Sequence, residues 1–237
     1  MKEITSIKNQ LIIETAKLKQ KKYRQDKRKF LIEGEHLIKE AYEAGLLEIV
    51  FHLGQDLPYE IESYLVTEEI IQKLSDVSSP QGLIGVCHFP QESHISKQVL
   101  LCDGIQDPGN MGTLIRSALA FGFESLVVDH CVDVYNPKVI RSTQGALFKI
   151  NIIEDNIIDF MDKHPIHYYA TDLSAQGQFE KKHHEEFGLI LGNEGQGVDP
   201  EIINKADSVI KLKMKKVESL NVAVAGSILM YELGGNR

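Results

Sequence analysis

The sequence predicts an α/β protein in two parts, a small α/β unit followed by a larger domain built on a parallel sheet. Three observations predict it. From Val99 onward, short and nearly continuous apolar runs alternate with helix-period segments, the pattern of strands covered on both faces. Before residue 89, shorter strand and helix patterns alternate in the same way. Between them "PQESHISKQ" is polar, carries a proline and lacks apolar periodicity, which places a linker at about 89–98, a first domain at 1–95 and a second at 96–237.

In chain order, "NQLIIETAKLKQKKYRQDKRKF" reads as one helix, with Leu11, Ile12, Thr15 and Leu18 on one side and lysines elsewhere. "FLIEG" is a short strand. "EHLIKEAYEAG" is an amphipathic helix closed by Gly45. "EIVFHL" is a strand, "TEEIIQKLSD" a helix capped by Thr67, and "GLIGVCHF" a strand after the turn "SSPQG". In the second part "VLLCDGI", "SLVVDH", "LFKINIIE", "HYYATDL", "FGLILGN" and "SVIKLKM" read as strands. Ligands on such sheets bind beyond the carboxyl ends of strands, so chemistry is expected after "LLCDG", "LILG" and "IKLKM".

Composition narrows the class. No apolar run approaches the roughly 18 residues of a membrane span, and "MKEITSIKNQ" lacks the apolar stretch of a signal peptide. Cys87, Cys102 and Cys131 form no CxxC and read as buried thiols of a reducing cytoplasm. The nine histidines have no metal-ligand spacing, so no metal site is expected. The net charge is −8, yet residues 1–30 hold ten Lys/Arg and three Asp/Glu. That asymmetry points to a polyanion contact at one end or to a solvated helix face.

Three strand ends carry the chemistry. In "DGIQDPGNMGTLIRSALAFG", Asp107-Pro108-Gly109 makes a turn and Asn110 is placed to cap the following helix. Arg116 lies outside the apolar stripe of that helix, so it faces a site or solvent. "LILGNEGQGVDP" breaks into Gly192, Gly195 and Gly197, which matches neither a dinucleotide nor a phosphate loop, and Glu194 would repel phosphates. A neutral or cationic ligand fits it better. In "IKLKMKKVESLNVAVAGSILMYEL" a basic loop leads to Ser219, an N-cap candidate, and to a helix apolar almost all round, which is expected to be buried in a core or an interface.

In this order and at about this spacing, "DPGNMGTLIRSALAFG", "LGNEGQGV" and "VESLNVAVAGSILMYE" resemble the three motifs of the SpoU/TrmH family of the SPOUT superfamily. The resemblance covers 99–237. "ITSIKNQLI…KYRQDKRKFLIEGEHLIKEA" is similar to the ribosomal-protein-like substrate-binding domain of many members. The resemblance implies a trefoil-knotted domain, a homodimer, S-adenosylmethionine as cofactor, and methylation of a ribose 2′-hydroxyl. Ribosomal RNA is the preferred substrate, with tRNA as an alternative. A non-catalytic RNA-binding or ribosome-assembly factor that retains the fold, and a small-molecule methyltransferase, are the competing classes. Carried over by position, Asn110, Arg116, Glu194, Ser219 and Asn221 form the catalytic set, and Gly192, Asn193, Leu212, Met214 and Leu220 hold the cofactor. Arg116 is the chemical centre, as a base assisted by an RNA phosphate or as a phosphate clamp. Lys21, Lys22, Arg24, Lys27 and Arg28 are expected to bind RNA. Lys213 stands where the family often has proline, the loop after it is one residue short and lacks a common glycine, and Ala223 replaces a common serine.

Overall fold

The structure is a computed structural model describing residues 2–91, 93–175 and 184–234. It divides into two compact units, Met1–Pro90 with Tyr135–Phe148, and Gln91–Val134 with Lys149–Arg237.

The first unit has a five-stranded mixed sheet in the order β1-β4-β3-β5-β2, with β1 at Lys2–Ile4, β2 at Lys29–Glu33, β3 at Leu47–His52, β4 at Glu62–Val66 and β5 at Leu83–His88. Its core gathers Ile12, Leu31, Phe51, Ile70, Leu74 and Ile84. Helices α3 (Glu35–Glu43) and α4 (Glu68–Leu74) form where the periodicity places them, and Thr67 caps α4 by accepting from the Ile70 N–H. The strands β1 and β4 have no counterpart in the sequence reading: "KEI" has only three residues, and "ESYLV" is mostly half-buried and carries no unbroken apolar run.

The expected single helix at 9–30 is instead two, α1 (Gln10–Lys17) and α2 (Lys21–Lys27). No glycine or proline separates them. Arg24 is 4% exposed, and its guanidinium donates to the carbonyls of Leu18 (2.9 Å) and Lys19 (2.8 Å). It satisfies carbonyls left over where α1 stops, a role local propensity cannot reveal.

The second unit has a six-stranded sheet in the order β11-β9-β10-β6-β7-β8, parallel throughout. Its strands are β6 (Gln98–Asp103), β7 (Ser125–Asp129), β8 (Asn151–Glu154), β9 (His167–Thr171), β10 (Phe187–Leu191) and β11 (Ser208–Ile210). Val99, Leu100, Leu101 and Cys102 are all fully buried, so both faces of β6 are covered, as its unbroken apolar run requires. One face carries α7 (Ile157–Lys163) and α8 (Pro200–Lys205). On α5 (Pro108–Ala120) packs α9 (Val222–Gly234), joined by a Ser117–Ser227 hydroxyl bond of 2.7 Å. A methyl group on Gly226 would lie 2.5 Å from Leu191 and 2.7 Å from Leu114, so glycine sets how closely α9 approaches.

Helix α6 (Pro137–Thr143) completes the set. The sequence division puts it in the second domain, but its segment belongs to the first unit. The reason is aromatic: Tyr135 stacks on Phe89 at 3.8 Å and reaches Phe30, which also meets Phe148. Three helices open on an Asx–Pro pair, Asp107-Pro108, Asn136-Pro137 and Asp199-Pro200, each side chain accepting a backbone N–H of the first turn. Asp107, not Asn110, thus caps α5. The strands expected from "LFKINIIE" and "SVIKLKM" are shorter than their apolar runs: Ala146–Phe148 is a 3-10 turn, and the chain leaves the sheet after Ile210. The three cysteines are free. Cys87 and Cys102 are buried, and burial pushes the half-buried Cys131 thiol up to about 11.

Candidate active site

Strand order alone brings two of the motif loops together. β6 and β10 are neighbours, with Cys102 paired to Leu191, so the loops starting at Asp103 and Gly192 leave the sheet side by side. The third comes from the edge strand β11. To reach α9 it crosses the ends of β9 and β10, about 14 Å at ~4.8 Å per strand. Eleven residues, Lys211 to Asn221, span that with ease, since extended chain covers ~3.3 Å per residue.

The loops meet in a polar relay. Asn221 Nδ2 donates to Asn110 Oδ1 at 2.8 Å, and Asn110 Nδ2 donates to Glu194 Oε1 at 2.9 Å. One residue of each motif is thereby tied to the next. Two of the three are fixed to helix starts: Asp107 holds the Asn110 N–H at 2.8 Å, and Asn221 Oδ1 accepts the N–H groups of Ala223 and Val224. Asn221, not Ser219, is therefore the cap of α9. A residue that both caps a helix and reaches Asn110 wins over a serine two positions earlier.

The glycine loop is closed on itself. Asn193 and Gly197 exchange backbone bonds of 3.0 and 2.9 Å, and a Cβ on Gly192 would lie 2.1 Å from Gly197 backbone. Asn193 spends its side chain on the loop, accepting from Gly195 and Gln196 and donating to the Gly104 carbonyl at 2.7 Å. Within the chain it acts as a staple for the loop. Asp103, read from sequence only as a strand end, accepts the Asp199 N–H at 2.8 Å and anchors the far side. Burial pushes its carboxyl up, against that hydrogen bond, with Asp129 and Asp199 adding to the rise. Its signal in the sequence is an aspartate closing an apolar strand.

Arg116 and Ser219 are exposed and, among the described residues, lie outside the relay. Arg116 follows Asn110 and Thr113 at steps of three, one ridge of α5, roughly 9 Å further along its axis. Leu212 and Met214 are half-buried. Val217 and Leu220 expose 58% and 40% of their surface, and Leu173 beyond β9 is exposed as well, so apolar surface lies open on loops at the carboxyl ends of the strands. In the first unit Lys21, Lys22, Lys27 and Arg28 are exposed. Arg24 departs from the expectation: buried on two carbonyls, its guanidinium is not at the surface to meet RNA.

Residues 97–231 match the SpoU rRNA Methylase family, and residues 9–85 match the MRM3-like substrate binding domain. The chain belongs to the SpoU rRNA methylase family. It is 38% identical, over 99% of its own length and all of the relative's, to the 23S rRNA (guanosine(2553)-2'-O)-methyltransferase RlmP of Bacillus subtilis. Among solved structures, the AdoMet-bound rRNA methyltransferase from Sinorhizobium meliloti superposes with a TM-score of 0.84 at 25% identity, covering 98% of this chain and 96% of that one. An RNA 2'-O ribose methyltransferase gives 0.80 at 31% identity, covering 97% of each.

The electrostatics of this SpoU-family site follow from the relay. Partial burial works to raise the Glu194 carboxyl. The Asn110 amide and the backbone N–H groups around it outweigh burial and hold it below the usual carboxylate range. Glu194 is an anion at neutral pH, fixed in a loop with no room for a side chain at Gly192.

Proposed function

We propose that this protein methylates a ribose 2′-hydroxyl of ribosomal RNA, with S-adenosylmethionine as the methyl donor. The observation that carries the reading is the Asn221–Asn110–Glu194 relay, which joins all three family motifs into one anionic, hydrogen-bonded site. The names of the relatives support ribosomal RNA as the substrate class.

The residues present fit the cofactor. Gly192, Asn193, Leu212, Met214 and Leu220 would hold it, with the open apolar surface of Leu220 and Val217 suited to an adenine and the Glu194 carboxylate suited to a cation. When bound, its sulfonium supplies a methyl group with no phosphate to repel. Asn110 and Asn221 hold each other and Glu194 in place, so orientation is set before substrate arrives, where alignment is worth up to ~7–11 kcal/mol. Arg116 clamps an RNA phosphate and stabilises charge developing on the 2′-oxygen. Its planar guanidinium offers a fork of N–H donors to a phosphate; it is exposed, and among the described residues no carboxylate pairs with it. Ser219, exposed two residues before Asn221, positions the ribose.

The exposed Lys21, Lys22, Lys27 and Arg28 carry RNA on the substrate-binding unit. The chain works as a homodimer. Val224, Ile228 and Tyr231 recur at helical spacing on α9 and are all exposed, an apolar stripe that a second copy would cover. Among the described residues no helix is long and apolar enough to cross a membrane, and free thiols suit the cytoplasm. The test is transfer of labelled methyl from S-adenosylmethionine to purified ribosomal RNA. Label on RNA is the expected result. Cofactor binding with no transfer to any ribosomal RNA would make the protein a binding module.

A further inference from the structure

The segment 211–221 holds more positive charge than the site needs. Four of the fourteen Lys/Arg of residues 96–237, Lys211, Lys213, Lys215 and Lys216, crowd into six positions, in a stretch where nineteen Asp/Glu outnumber the cations. Leu212 and Met214 are half-buried, whereas Lys213, Lys215 and Lys216 are exposed. The strap thus covers part of its apolar side chains and presents three ammonium groups to solvent.

Three other described lysines of this unit are ion-paired. Lys163 meets Asp155 at 2.8 Å, Lys205 meets Asp162 at 2.5 Å, and Lys97 meets Glu185 at 3.8 Å. Lys211 is spent on the Leu173 carbonyl at 3.5 Å. Among the described residues Lys213, Lys215 and Lys216 have no ion pair or hydrogen bond. Three like charges within four residues repel one another and go unrelieved by carboxylates that are plentiful nearby in the sequence. A polyanion relieves them. The strap also ends on Asn221, which is bonded to Asn110, so an anion on Lys213 to Lys216 lies five to eight residues along the chain from the relay.

We propose that Lys213, Lys215 and Lys216 bind the backbone phosphates of the RNA next to the ribose to be methylated, a second contact separate from the basic residues of the N-terminal unit. The inference rests on the RNA methyltransferase reading. In it, Lys213 exchanges the stiffness of the family's common proline for a charge.

The test uses the full chain with Lys213, Lys215 and Lys216 changed to alanine, a second variant with arginine at all three, and a control with the paired Lys97, Lys163 and Lys205 changed to alanine. The probe is a ribosomal RNA fragment that wild type methylates, titrated between 50 and 200 mM salt, with S-adenosylmethionine affinity measured by calorimetry. Three phosphate contacts at ~0.7 each steepen the log–log slope by about 2, so wild type should lose roughly 20-fold more affinity than the alanine variant over that range. The arginine variant and the control should keep the wild-type slope, and cofactor affinity should be the same in all four. An alanine variant with the wild-type slope would show a merely solvated strap and overturn the proposal. So would loss of cofactor affinity at an unchanged RNA slope, which would assign the lysines to the cofactor. A wild type that binds and methylates no RNA would instead sink the enzymatic reading on which this rests.

Discussion

Replacing Asn110 with aspartate changes one atom in the relay and reverses its electrostatics. The Asn221 amide still finds an acceptor at 2.8 Å, so the shape survives. The other end now sets an oxygen against the Glu194 carboxylate at 2.9 Å, where an amide donated before. Two unit charges at that distance repel by ~1.4 kcal/mol at the dielectric of water and ~3 kcal/mol at an intermediate value of 40. Glu194 is largely open to solvent, so the lower half of that range applies, or about one to two pH units. In the wild type the Glu194 carboxyl lies below its ordinary value, so its contribution to stability is complete above the unfolded value and fades as pH falls through the folded one. In Asn110→Asp the pair shares a proton and its upper step rises above the unfolded value. The proton is then held more tightly in the folded state, and stability is lost as pH climbs from ~4 to ~6. Urea denaturation from pH 4 to pH 8 reads both slopes. The variant should lose stability relative to wild type as pH rises, and Asn110→Ala should show a smaller loss with no such trend. An Asn110→Asp profile parallel to wild type would mean that the relay does not hold in solution.

Other substitutions separate chemistry from scaffold. Arg116→Ala should keep the fold and cofactor affinity and slow methyl transfer by roughly 10²–10⁴-fold, with poor rescue by lysine, which lacks the planar fork; a wild-type rate would remove Arg116 from the site. Arg24→Ala should destabilise the chain by about 2–4 kcal/mol in urea, because two carbonyls lose a charged donor and a buried side chain leaves a hole. Lys21→Ala with Lys22→Ala should leave stability within ~0.5 kcal/mol and flatten the salt dependence of RNA binding; the opposite pattern would swap the two assignments. Gly192→Ala should abolish cofactor binding, since the new methyl meets immovable backbone at 2.1 Å; normal affinity by calorimetry would contradict the loop geometry.

The parallel sheet was legible because its strands are buried on both faces and therefore read as unbroken apolar runs. The positions of Asn110, Glu194 and Asn221 were legible because three motifs recur in one order. Their connection to each other was not, since it depends on β6 and β10 being neighbours and on the strap returning from the sheet edge. The caps show the same limit. Asp107 and Asn110 are both sound cap residues, as are Ser219 and Asn221, and only the tertiary partner decides between them. Arg24 illustrates it for charge. Eight cations within thirteen positions look alike in sequence, yet Lys17, Lys19, Lys27 and Lys29 meet Glu14, Asp76, Asp26 and Glu48, Arg24 is buried, and Lys21, Lys22 and Arg28 remain at the surface. A cut at 95/96 likewise looked clean, but a fragment of 96–237 would leave Tyr135 without Phe30 and Phe89.

Ribose methylation has a chemical signature of its own. A methylated 2′-oxygen cannot attack the adjacent phosphate, so that linkage resists alkaline cleavage. Ribosomal RNA incubated with the protein and S-adenosylmethionine, then partially hydrolysed in alkali and resolved at single-nucleotide resolution, should show a gap that is absent from RNA treated with Arg116→Ala. Methyl incorporation into RNA whose alkaline ladder stays complete would place the group on a base, and would contradict the central claim.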